Sequence, residues 1–71
     1  MKTVDQLMAE AFSPPRGARS QAYKAGVRAA LEWWINKKRI VVPYLIGTAE
    51  FDAFFAGRTE GYAIWQRETG L

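Results

Sequence analysis

The side chains best suited to recognition chemistry in this sequence are its cations and its aromatic rings. Arg16, Arg19, Lys24 and Arg28 form one basic cluster, and Lys37, Lys38 and Arg39 form a second. Trp33, Trp34 and Tyr44 fall between the clusters or just beyond them. Lys and Arg neutralise phosphates while Trp or Tyr rings stack on unpaired bases, so this interleaving points to RNA. The competing reading is a solvated helix face whose rings belong to the core. By its phase Trp34 fits the core, whereas Trp33 lies off the main apolar stripe and suits either role.

Catalytic chemistry is poorly served. The 71 residues contain neither His nor Cys, which removes imidazole catalysis, disulfides and thiolate or imidazole metal sites. Asp52 and Glu60 are eight positions apart on one predicted helix, about 12 Å along its axis, too far for a paired-carboxylate site. The stretch Gly57-Arg58-Thr59-Glu60-Gly61 lacks the pattern of a phosphate loop and follows helix rather than strand. The expectation is a non-enzymatic binding protein that requires no cofactor and no metal.

Ten Lys+Arg against seven Asp+Glu give a net charge of +3. A chain of this size buries only about 60% of its unfolded surface, so one small core is marginal. The start, Met1 to Asp5, lacks the apolar run of a signal peptide. The longest uncharged stretch, Ile40 to Ala49, falls short of the roughly 20 apolar residues that span a bilayer. A cytoplasmic, membrane-free protein is expected.

Three helices are predicted to carry these groups, as a single all-α domain. The first covers about residues 3–12, opened by a Thr3/Gln6 capping box, with Val4, Leu7, Met8, Ala11 and Phe12 on one stripe. Ser13-Pro14-Pro15 stops it, and Pro14 to Ser20 reads as a basic loop. The second covers about 20–36 from an N-cap at Ser20, with Tyr23, Val27, Ala30, Leu31 and Trp34 inward. Arg28 and Glu32 stand one turn apart, where they can pair. Ala22, Gly26 and Ala29 make a small-residue edge, which predicts that another backbone comes close. Residues 37–47 read as an extended apolar crossover with at most one short edge strand, because Pro43 argues against a central one. Thr48 caps the third helix, about 48–68, with Gly70 just past its end.

The third helix is apolar over about half its circumference, wider than one neighbour requires. It needs two: helix 2, and either helix 1 or a second molecule, so a homodimer is one expectation. Trp33, Phe51, Phe55, Arg58, Tyr62 and Trp65 are the candidate partner or dimer interface. For Arg58 the plain reading is a guanidinium stacked on Phe or Trp faces, and the sharper one is contact with an acidic group or phosphate.

Tyr23-Lys24-Ala25-Gly26 opening a helix, then Pro43-Tyr44, then Phe54-Phe55-Ala56-Gly57 with Gly61-Tyr62, resembles the pattern of the ribosome modulation factor family. That family, with its small plasmid- and phage-borne relatives, including one associated with ciprofloxacin resistance, has an aromatic-x-Ala-Gly helix, a Cys-Pro-Tyr linker and an aromatic, Gly-rich second helix. The likeness covers roughly residues 20–65, and the matching positions are Tyr23, Gly26, Pro43, Tyr44 and Gly57. Val42 stands where the family has Cys, and a further N-terminal helix precedes the match. The resemblance implies a two-helix core and, as in the best-known member, binding to the small ribosomal subunit. The first expectation is therefore a ribosome or structured-RNA partner held by the two basic clusters. The second is a phage-encoded inhibitor that blocks a host protein, for antidefence or host takeover, through the aromatic face of the third helix. A small-molecule modifying enzyme like the resistance-associated relative is a third, opposed by the missing catalytic groups.

Overall fold

The computed structural model describes residues 2–13 and 19–70; Arg16 and most of the expected basic loop lie outside them. The described chain forms three helices, α1 (Val4–Ala11), α2 (Gln21–Asn36) and α3 (Ala49–Thr69), and no strand. No described helix is long and apolar enough to cross a membrane.

Each helix starts where a hydroxyl can accept from an otherwise unpaired backbone N–H. Thr3 and Gln6 form a reciprocal capping box, Ser20 accepts from the Tyr23 N–H, and Thr48 accepts from the Phe51 N–H. α3 stops at Gly70, in the left-handed conformation at φ 77°. α2 stops at Lys37, which adopts the same conformation at φ 58° without being glycine. The Lys37 N–H donates to the Trp33 carbonyl and the Lys38 N–H to the Glu32 carbonyl, both at 3.1 Å. This close turns the chain back on itself.

α2 and α3 run in the same direction. Their first turns meet, since Ser20, Ala22, Ala49 and Ala53 border one hollow with Tyr44. Towards their far ends Trp34 stacks on Trp65, ring centres 4.5 Å apart. The linker must therefore travel back along α2, whose 16 residues rise about 24 Å. It does so in extended form, with Ile40, Val42 and Tyr44 half-buried and Val41, Pro43 and Leu45 exposed. The stretch is the expected extended crossover, and the short edge strand it could have held does not form. A strand needs a neighbour with free backbone groups, and the linker runs beside a helix whose groups are already paired. Gly47, at φ 89°, then turns the chain into α3.

The α2–α3 contact is made backbone to backbone. A Cβ at Gly26 would overlap the carbonyl oxygen of Phe54, and a Cβ at Gly57 that of Tyr23. Gly61 continues the seam, where a Cβ would come within 2.7 Å of the Val27 carbonyl oxygen. Glycine weakens each helix locally by about 1 kcal/mol, and the close approach offsets it through added dispersion contact.

α1 lies across one side of this pair. Val4 and Leu7 join Val27, Leu31 and Ile64 in a buried cluster, flanked by half-buried Phe12, Tyr23 and Trp65. Ion pairs hold the edges: Arg28 to Asp5 at 2.8 Å, and Lys2 to Glu10 at 2.9 Å and Glu68 at 3.7 Å. Hydrogen bonding to Glu10 raises the pKa of the Lys2 ammonium, with the nearby Glu10 and Glu68 charges adding to a rise that desolvation opposes. The expected Arg28–Glu32 pair does not form, because Arg28 turns to Asp5 while Glu32 takes Asn36 and Lys38. α1 packs mainly on α2 and reaches α3 at Ile64, so it covers one edge of the wide apolar arc of α3 and leaves Phe51, Phe55 and Tyr62 outside its contact.

Candidate nucleic-acid interface

The return of the linker changes the layout of the basic residues. In the sequence Arg28 and Arg39 are separated by the second half of a helix and its turn. In the fold Arg28, Lys38 and Arg39 line one groove of about 320 Å³, together with the carboxylate Glu32 and the apolar Ala25, Ala29 and Val41. The linker runs back beside Ala25 and Ala29 of α2, so cations of the helix and of the linker line the same channel.

The cations differ in what already holds them. Arg19 lies over the Tyr23 ring at 4.6 Å, within the start of α2, and Lys24 over Phe12 at 5.6 Å, which supports the contact with the N-terminal region. Arg28 is paired with Asp5 at the surface, and Lys38 is 3.8 Å from Glu32. Lys37 reaches the Trp34 carbonyl at 3.4 Å. Arg39 and Arg58 pair with no carboxylate among the described residues. Arg16 lies outside the described residues.

The aromatic candidates divide in the same way. Trp34, Tyr62 and Trp65 form one ring cluster, with Trp34 tilted against Tyr62 at 5.2 Å and Tyr62 6.1 Å from Trp65. Phe51 and Phe55 pack on each other at 4.6 Å, and the Arg58 guanidinium lies 4.8 Å above Phe55. That is the stacked arrangement the plain reading of Arg58 expects. Tyr44 meets Phe54 edge-on at 6.0 Å, which fixes the linker to α3. Trp33 has no ring partner among the described residues and is 43% exposed. Tyr62, although stacked on one side, is 41% exposed.

Trp33, Trp34, Tyr62 and Arg58 line a second hollow, an open cleft of about 350 Å³. Ile40 forms part of its wall and also part of the wall of the basic groove, so the two features adjoin. Sequence reasoning missed Ile40, Ala25 and Ala29 as members of the site. The alternation of burial along 40–45 would identify Ile40, but every residue there is apolar and hydropathy cannot show it. Tyr23 donates a hydrogen bond to Glu60, tying the start of α2 to mid-α3 and keeping that carboxylate engaged at the helix seam.

The described residues contain no group of three or more His, Cys, Asp or Glu that can hold a metal ion. No protein-family model, curated protein or solved structure matches this chain.

Proposed function

We propose that this chain is a small RNA-binding protein that engages the ribosome or a structured RNA, in the manner implied by its resemblance to the ribosome modulation factor family. The observation that carries this reading is the convergence of Arg28, Lys38 and Arg39 on one groove, with Arg39 unpaired among the described residues. Three cations against one carboxylate, Glu32, leave the groove net positive, which suits a phosphate backbone. The test is binding of purified protein to ribosomes and to structured RNA across a salt series. Affinity is expected to fall steeply with salt, by about 0.7 log units per tenfold increase for each phosphate contact on single-stranded RNA. Undetectable binding at low salt rejects the reading.

A second reading has its own support. Val41, Leu45 and Ile46 are 72%, 79% and 85% exposed, and Tyr62 adds an aromatic edge. Large apolar side chains left in solvent are a common mark of a protein-binding surface. On this reading the chain is an inhibitor that blocks a host protein. Tyr62→Asp or Phe55→Asp then abolishes capture of that protein while Lys37→Ala leaves it intact, and the reverse pattern rejects it.

A further inference from the structure

We infer that the cleft between Trp33 and Tyr62 receives one unpaired base of the RNA whose phosphates follow the Arg28–Arg39 groove. The inference rests on the RNA-binding reading and adds to it a preference for single-stranded over duplex segments. Three observations lead to it. Trp33 alone among the three tryptophans has no ring partner among the described residues, so a flat face is available there. The cleft, at about 350 Å³, is at the small end of the ~300–1,000 Å³ typical of small-molecule sites, with room for a single base. Its one charged wall residue is Arg58, a cation without a carboxylate partner among the described residues.

The adjacency of the two hollows decides the occupant. Ile40 separates the aromatic cleft from the basic groove, so a strand lying in the groove can turn a single base over that ridge without leaving its phosphate contacts. A base stacked in a duplex cannot do so without the cost of extrusion. A stacked base replaces water on the Trp33 face, and Arg58 is positioned to meet the phosphate or the base edge of that same nucleotide. An acidic peptide would also suit Arg58, but it would use the Trp33 ring as a generic apolar surface, with no preference for a planar partner.

The test compares a single-stranded 12-nucleotide RNA with a duplex RNA of the same length, at low salt, using full-length protein. Trp33→Leu is expected to weaken the single strand about tenfold, the scale of one base–aromatic stack, and to leave duplex affinity unchanged. Trp33→Phe keeps a ring and restores most of the loss, which a merely structural role for the side chain would not require. Arg58→Gln lowers the salt slope by about 0.7 on the single strand alone, the value for one lost phosphate contact. Helicity of each variant by circular dichroism controls for folding. Equal weakening of both RNAs by Trp33→Leu, or of neither, overturns the base-binding cleft while leaving the groove intact. Wild-type protein that binds neither RNA overturns the groove and the cleft together.

Discussion

Gly26 of α2 lies directly against the Phe54 carbonyl of α3, with no room for a methyl group between them. Gly57 repeats the relationship in the opposite sense against Tyr23. In an isolated helix Gly→Ala gains about 1 kcal/mol. Here the added methyl must force two backbones apart, and overpacking of that kind costs about 1–3 kcal/mol or more. Gly26→Ala and Gly57→Ala should each lower the melting temperature despite the better helix former, by roughly 4–8 °C per net kcal/mol lost for a domain this small. Thermal unfolding followed by circular dichroism reads this directly. A raised melting temperature for either variant would show that the seam is looser than described.

Lys37 presents the reverse case. It holds a left-handed conformation that glycine adopts freely and other residues occupy at a cost. Lys37→Gly should stabilise the fold by about 0.5–1 kcal/mol, whereas Lys37→Ala should change little. Urea unfolding of the pair separates backbone strain from loss of charge, because both variants remove the same ammonium.

Asp5 is the carboxylate that engages Arg28 at the edge of the basic groove. The pair is exposed, so its contribution to stability is small, about 0.2–1 kcal/mol. Its effect on a phosphate partner is larger in consequence, since Asp5 is a like charge beside the RNA path. Asp5→Asn should strengthen RNA binding several-fold at low salt while barely lowering stability, and the gain should shrink as salt screens the charge. Weaker RNA binding by Asp5→Asn would indicate that the pair orients Arg28 rather than competing for it.

The cluster beneath α1 joins Leu7 to Leu31 and Ile64. With α1 in place the intact chain should be monomeric by light scattering at micromolar concentration. Leu7→Asp should undock α1 and expose Val27, Leu31 and Ile64, and a rise in mean mass for that variant alone is the expected result. A dimeric wild-type chain would mean that the remaining aromatic surface is itself an interface.

The local parts of this fold are legible in the sequence, and the reason is range. Thr3, Ser20 and Thr48 each satisfy a backbone group within three residues, so their roles follow from spacing alone. Gly26 and Gly57 announce a close approach because glycine inside a helix needs a compensating contact. The direction of α3 relative to α2 is not local. It depends on a reversal at Lys37, a residue type that carries no signal for positive φ, and on a linker whose apolar residues look alike. The convergence of Arg28 with Arg39 follows from that reversal and was hidden with it. Arg28 also illustrates competition: a partner one turn away at Glu32 lost to Asp5, 23 residues distant in sequence, once α1 docked. Trp33 and Trp34, adjacent in the chain, are divided by helical phase, which already assigns Trp34 to the core; the exposure of Trp33 is what only the packing shows.

The parallel course of α2 and α3 also has an electrostatic consequence. Aligned helices set their partial positive ends side by side and their partial negative ends side by side, which is unfavourable in an otherwise uncharged pair. Glu50 and Asp52 stand in the first turn of α3, at the end where the two N-termini meet. Lys37, Lys38 and Arg39 follow the last turn of α2, and Arg67 occupies the last turn of α3. The charges therefore neutralise the stacked dipoles at both ends. The basic run beyond α2 has a structural reason to exist before any partner arrives, and a bound phosphate would compete there with the field of the protein's own helices.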